Sequence, residues 1–188
     1  MASLHFRKRN RKTGFHYSDP GSYFITICVK MFDGVLSNID ADFNLKLNPY
    51  GKIIDNKIRS VDKIFRDTEI IEYVIMPDHV HILMNIYPNN HIDCTDGNGD
   101  GDGSDRINPV TTNTNTHTNQ QSFKYKLSIP SIISWIKGSS SFEINKTIYF
   151  RWQRSYYDKI IRHNEEFIKV KNYIINNPQS WITRRSHL

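Results

Sequence analysis

Three runs of the chain cluster apolar residues in the manner of buried strands. Residues 22–30 (SYFITICVK), 68–76 (TEIIEYVIM) and 79–87 (HVHILMNIY) are rich in β-branched and aromatic side chains, the composition that fits a pleated, half-buried surface. Pro20-Gly21 bounds the first run, and only Pro77-Asp78 separates the other two. That link is short enough to predict an antiparallel hairpin. A shorter strand is expected at 156–162 (YYDKIIR), and 32–47 reads as a hairpin or short strands turning at Gly34 and Asn38.

Helical spacing appears in three other places. Behind Pro49, residues Ile53, Ile54, Ile58, Val61 and Ile64 recur near the 3.6-residue period and predict a helix over 48–65. Ile132, Ile133, Trp135 and Ile136 support a helix over 128–146, opened by Ser128 and Pro130, with a break expected near Gly138. Over 164–178, Phe167, Val170 and Ile174 form a stripe, with Asn164 as N-cap, acids in the first turn and Pro178 as the stop. The order strand, helix, two strands, helix, strand, helix predicts an α+β fold. Its expected form is a ferredoxin-like antiparallel sheet with helices packed mainly on one face.

Residues 95–121 break the pattern. TDGNGDGDGSD, followed after a short interval by TTNTNTHTNQQ, offers almost nothing to bury, so a disordered insertion is expected within a single domain spanning 1–188. Asp96, Asn98, Asp100 and Gly101 mimic the opening of a calcium loop, but Ile107 stands where the closing Glu is needed. A flexible acidic linker is the better reading.

Charge and composition narrow the partners. The net charge of +6 favours an acidic partner, with nucleic acid the commonest. Residues 1–12 hold Arg7, Lys8, Arg9, Arg11 and Lys12 without an acid, which suits a phosphate-binding arm or a solvated tail. Ten Tyr, ten Phe and three Trp supply rings that could pack a core or stack on unpaired bases. Cys28 and Cys94 are too few for a disulfide framework, so a reducing cytoplasm is expected, with nucleoid association if the acidic partner is DNA. No run approaches the roughly 18 apolar residues of a membrane span, and no apolar stretch follows the basic start as in a signal peptide.

Candidate chemistry centres on MPDHVHILM, residues 76–84. Strand alternation sends His79 and His81 to one side and Val80, Ile82 and Met84 to the other, where a core would lie. Two imidazoles about 7 Å apart at the backbone can converge on one metal ion, although His-x-His alone also fits two surface histidines. On the last helix Tyr173 and Asn177 are four apart and share a face. The Phe167, Val170, Ile174 stripe would pack that helix on the sheet and leave Tyr173 at its edge. A tyrosine phenolate there could attack a phosphodiester, with a metal offsetting the developing charge. Taken alone, Tyr173 also fits a core-edge tyrosine.

Four stretches together resemble the HUH single-tyrosine transposases, and more closely the REP-associated tyrosine transposases. They are GSYFITICV (21–29), EYVIMPDHVHILM (72–84), WQRSYYDKIIRHNEEF (152–167) and NYIINNPQSW (172–181). The resemblance covers nearly all the chain outside the insertion. It departs from the family at Asp78, where Asn is common. It implies metal-dependent cutting and joining of single-stranded DNA, often beside an imperfect palindrome folded as a hairpin. His79 and His81 fall on the metal ligands, for Mg2+ or Mn2+, and Tyr173 falls on the nucleophile that forms a 5′-phosphotyrosine. Asn177 falls where relatives place a polar third ligand, of varying type. Tyr156 and Tyr157 are rival nucleophiles. Arg7 to Lys12, Lys124, Lys126, Arg151, Arg154, Arg162, Arg184 and Arg185 would hold phosphates, and Trp152 would stack on a base. A monomer is favoured over a homodimer. Two other readings stay open: a domesticated hairpin-binding module that no longer cuts, and a metal-dependent nuclease that uses water.

Overall fold

The computed structural model describes residues 19–30, 34–88 and 127–185. Four strands form one antiparallel sheet: β1 (Gly21–Cys28), β4 (Thr68–Ile75), β5 (His79–Ile86) and β6 (Tyr157–Ile161), in the order β4-β5-β1-β6. The two middle strands are the first and third of the four in chain order. The α+β ferredoxin-like sheet expected from the sequence is the fold. A small hairpin, β2 (Ser37–Ile39) with β3 (Leu45–Leu47), lies outside it. Its turn is organised by Asp40, whose carboxylate accepts from the backbone N–H of Asp42 and Asn44. Asn38, expected at the turn, is paired within β2 instead.

Alternation along the strands builds the larger core. Tyr23, Ile25 and Ile27 of β1 and Val80, Ile82 and Met84 of β5 are buried on one face. Against them pack α1 (Pro49–Ile58), through Ile54 and Ile58, and α3 (Ile129–Ile144), through Ile132, Ile133 and Ile136. The α1 backbone comes close to the small hairpin because of Gly51: a Cβ there would lie 2.1 Å from the Leu36 carbonyl oxygen. The opposite face is covered by α4 (Asn164–Ile175), whose Ile174, Phe167 and Val170 pack with Leu83 and Ile161 in a second, smaller core.

The helix boundaries depart from the sequence reading in four ways. The 48–65 segment is two helices, α1 and the short α2 (Val61–Ile64), divided at Arg59-Ser60. The Ser60 hydroxyl donates to the carbonyls of Asn56 and Lys57, competing with continued helix. At Gly138 α3 is unbroken, and Ser128 caps it by accepting from the Ser131 N–H. The N-cap of α4 is His163, with Asn164 the first helical residue. Pro178 does not end the helical path: the chain turns at Asn176 and restarts as α5 (Asn177–Arg185). Proline in a first turn has no N–H to satisfy.

Candidate active site

The sheet face under α4 brings the sequence candidates together. The register sets His81 opposite Thr26 and His79 opposite Cys28. On each histidine the Nδ1 is engaged. The Asp78 carboxylate lies 2.6 Å from Nδ1 of His79, and the Thr26 hydroxyl 2.7 Å from Nδ1 of His81. Both contacts orient the rings, and the carboxylate, which only accepts, also selects the Nδ1–H tautomer of His79, as the supporting groups of metal-bound histidines do. Both Nε2 atoms are left facing one another, 3.1 Å apart. Asp78 is itself held, since its carbonyl accepts from the Val29 N–H at 2.8 Å.

This geometry can be tested against a metal. Two ligands at right angles and about 2.1 Å from one ion stand about 3.0 Å apart, close to the observed separation. The histidine pair therefore fits adjacent positions on an octahedral ion. Among the described residues no three His, Cys, Asp or Glu side chains gather as a ligand group. Asn177 is 1% exposed, and neither atom of its side-chain amide has a hydrogen-bond partner. Leaving a buried polar group unsatisfied costs about 1–3 kcal/mol, which a ligand bond would offset. Trp181, one turn along α5 from Asn177, lies with its ring 5.6 Å from that of His79. The helix that Asn177 opens thus reaches the histidine pair.

Tyr173 comes from α4. Its hydroxyl is 3.4 Å from Nε2 of His81, and its ring meets Phe24 edge-on at 6.0 Å. It is 41% exposed, so the phenol is open to an incoming strand. A groove of about 660 Å³ between β6 and the start of α4 is lined by Tyr173, by Lys159 and Lys169, and by Glu165 and Glu166, with Lys159 ion-paired to Glu166 at 2.6 Å. Of the rival tyrosines, Tyr156 is buried in the larger core. Tyr157 is exposed and pairs across from Thr26, one strand further from the histidines than Thr26.

The remaining candidates are dispersed. Trp152 is 8% exposed, stacks edge-on against Phe150 and donates from its indole N–H to Ser140. It is a core side chain rather than a stacking platform, because its one polar atom is satisfied inside. Arg154 and Arg162 are exposed. Arg7, Lys8, Arg9, Arg11, Lys12, Lys124, Lys126 and the 95–121 insertion lie outside the described residues, as do the side chains of Arg184 and Arg185. Thr26, Asp78 as a partner of His79, and Trp181 were not singled out from sequence. Only the strand register and the restart of α5 reveal them.

The fold and this site define a class: a ferredoxin-like sheet with a histidine pair on one face and a tyrosine-bearing helix across it. A structure of the REP-associated tyrosine transposase bound to a REP hairpin shares that fold, with a TM-score of 0.55 and 16% identity over 93% of this chain and 74% of that one. An uncharacterized protein of Haemophilus influenzae is 29% identical over 180 residues, 96% of this chain and 92% of its own length. No protein-family model matches. Among the described residues no helix is long and apolar enough to cross a membrane.

Proposed function

We propose that the protein is an HUH tyrosine transposase that nicks and joins single-stranded DNA at hairpin-forming sequences. The observation that carries this reading is the convergence of Tyr173 Oη and His79 Nε2 on His81 Nε2, with both Nδ1 atoms held from behind. His79 and His81, with Asn177, would hold Mg2+ or Mn2+. When bound, such an ion polarises the scissile phosphate and offsets charge developing on its oxygens.

The chain's own part is positioning and attack. Phe24 and the α4 packing fix the Tyr173 ring, and the phenol gives up its proton to solvent. Its oxygen forms a bond to phosphorus as the bond from phosphorus to the 3′ oxygen breaks. The leaving oxygen takes a proton and becomes a free 3′-OH, while the 5′ phosphate stays on Tyr173. Attack by a 3′-OH in reverse rejoins the strand or joins another without a nucleotide cofactor. Lys169 of the groove lined by Tyr173 and the exposed Arg154 and Arg162 would hold phosphates, while Lys159 is paired with Glu166.

The test is covalent capture. The protein is incubated with Mn2+ and labelled single-stranded DNA carrying palindromes from its gene's flanks, then run on a denaturing gel. The expected result is a shifted band in wild type and Tyr157→Phe, absent in Tyr173→Phe and His79→Ala. Loss in Tyr157→Phe alone moves the nucleophile to β6. Cleavage without an adduct points to water as nucleophile, and hairpin retention without cleavage points to a binding module.

A further inference from the structure

A second groove, of about 730 Å³, lies along α3 and the segment 149–156. One wall is a small and polar face of α3, Ser134, Gly138 and Ser141, continued by its C-cap Asn145. A Cβ on Gly138 would meet nothing within 4 Å, so the groove is open at that point. Among the described residues, the cations Lys137, Arg151 and Arg154 line it and no carboxylate does. Among the described residues neither arginine forms an ion pair with a carboxylate. The Arg151 guanidinium donates to the Tyr149 hydroxyl at 2.9 Å and lies 5.8 Å from the centre of that ring, while Tyr149 is 63% exposed. Lys137 donates to the carbonyls of Gln153 and Ser155 at 2.6 and 3.1 Å and so fixes the loop that carries Arg154.

The segment 151–153 extends the sheet toward the histidine site, whereas the α3 wall of the groove lies on the sheet face opposite the histidines. Residues 151–153 run beside the end of β1: the Lys30 N–H donates to the Arg151 carbonyl, and the Gln153 N–H to the Cys28 carbonyl. Cys28 in turn pairs with His79. Two strand spacings, roughly 10 Å, separate this segment from β5, the reach of a few stacked nucleotides at about 3.4 Å each.

We propose that this groove binds the single-stranded DNA flanking the strand at the histidine pair, with phosphates on Arg151 and Arg154 and a base on Tyr149. The proposal rests on the transposase reading and names a second subsite for its substrate. Arginines with no carboxylate partner among the described residues suit phosphates, an exposed ring pinned by an arginine suits a base, and the volume lies in the range of small-ligand sites.

The test reads binding without cleavage. A labelled single-stranded oligonucleotide is titrated with full-length protein in EDTA, followed by fluorescence anisotropy. Arg151→Glu/Arg154→Glu is expected to weaken binding at least about tenfold and to reduce the slope of log affinity against log salt by about 1.4. Tyr149→Ala should cost about fivefold or more, and an oligonucleotide bearing iododeoxyuridine should photo-crosslink to Tyr149. Lys46→Glu/Lys52→Glu, the same charge change at exposed positions elsewhere, is the control. Circular dichroism melts establish that each variant is folded. If the groove variants lose no more affinity than the control, or if polyglutamate competes as well as DNA at equal charge, the proposal is overturned. A missing covalent adduct with groove binding intact would sink the transposase chemistry alone, and an adduct with unchanged groove-variant affinity would sink the groove alone.

Discussion

The two histidines differ in how they are held, and the difference is testable one residue at a time. His79 leans on an anionic carboxylate, His81 on a neutral hydroxyl. Supporting contacts of this kind are typically worth 10- to 100-fold in metal affinity. Asp78→Ala is therefore expected to weaken Mn2+ binding about tenfold or more by titration calorimetry, and Asp78→Asn by less, since an amide oxygen can still accept. Equal affinity in all three proteins would remove Asp78 from the site. Asn177 gives a second test. If its buried amide is a ligand, Asn177→Ala leaves the metal-free melting temperature unchanged or raised but removes part of the rise produced by saturating Mn2+. A metal-free protein clearly destabilised by Asn177→Ala would mean the amide has a structural partner. At this scale the sequence showed what local periodicity encodes, namely His79 and His81 on one face and Tyr173 on a helix edge. It did not show Thr26, which lies 55 residues from His81 and meets it only through the β1–β5 register. It misassigned Trp152, because nothing local to an indole tells whether its N–H will find Ser140.

Elements place these residues, and their packing sets what each substitution costs. The α4 helix is held on the sheet by Ile174, which is fully buried against a small core. Ile174→Ala should cost about 2–4 kcal/mol in urea unfolding, and adduct yield should fall further than the unfolded fraction explains, because the same helix carries Tyr173. Yield that simply tracks the folded fraction would mean Tyr173 is placed by other contacts. The β6–α4 link adds a pH dependence. The Lys159 ammonium beside Glu166, and then the Arg162 backbone N–H, hold its carboxyl below the usual range. Its contribution is present above the ordinary value near pH 4.3 and is lost as pH falls through the lowered folded value. The melting-temperature gap between wild type and Glu166→Gln should thus close on acidification below about pH 4, and a gap constant from pH 6 to 3 would contradict it. The two glycines separate by environment. Gly51→Ala must displace the Leu36 carbonyl and is expected to cost about 1–3 kcal/mol. Gly138→Ala, in open space within α3, should stabilise by about 0.5–1 kcal/mol. The expected break at Gly138 came from propensity alone, and the buried face of α3 overrides it. The opposite miss was at Pro178, read as a stop although proline is tolerated where a new helix begins.

For the whole molecule, the α+β class and the ferredoxin-like antiparallel sheet followed from the alternation of strands and helices, since few topologies satisfy that order. The 95–121 insertion is the part composition describes only in terms of charge. It contains Asp96, Asp100, Asp102 and Asp105 against Arg106, so its removal takes the net charge from +6 to +9. Its composition, almost without apolar side chains, gives a core little to bury. Replacing 95–121 with a short Gly-Ser linker should leave the melting temperature within a few degrees. If the acidic stretch shields the basic DNA surface, the same deletion should tighten binding to a single-stranded oligonucleotide severalfold at low salt. That gain should fade as the Debye length shortens from about 10 Å at 0.1 M to a few ångströms near 1 M. A severalfold gain that persisted in high salt would point to steric rather than electrostatic shielding, and a large fall in melting temperature would show that the insertion packs on the body.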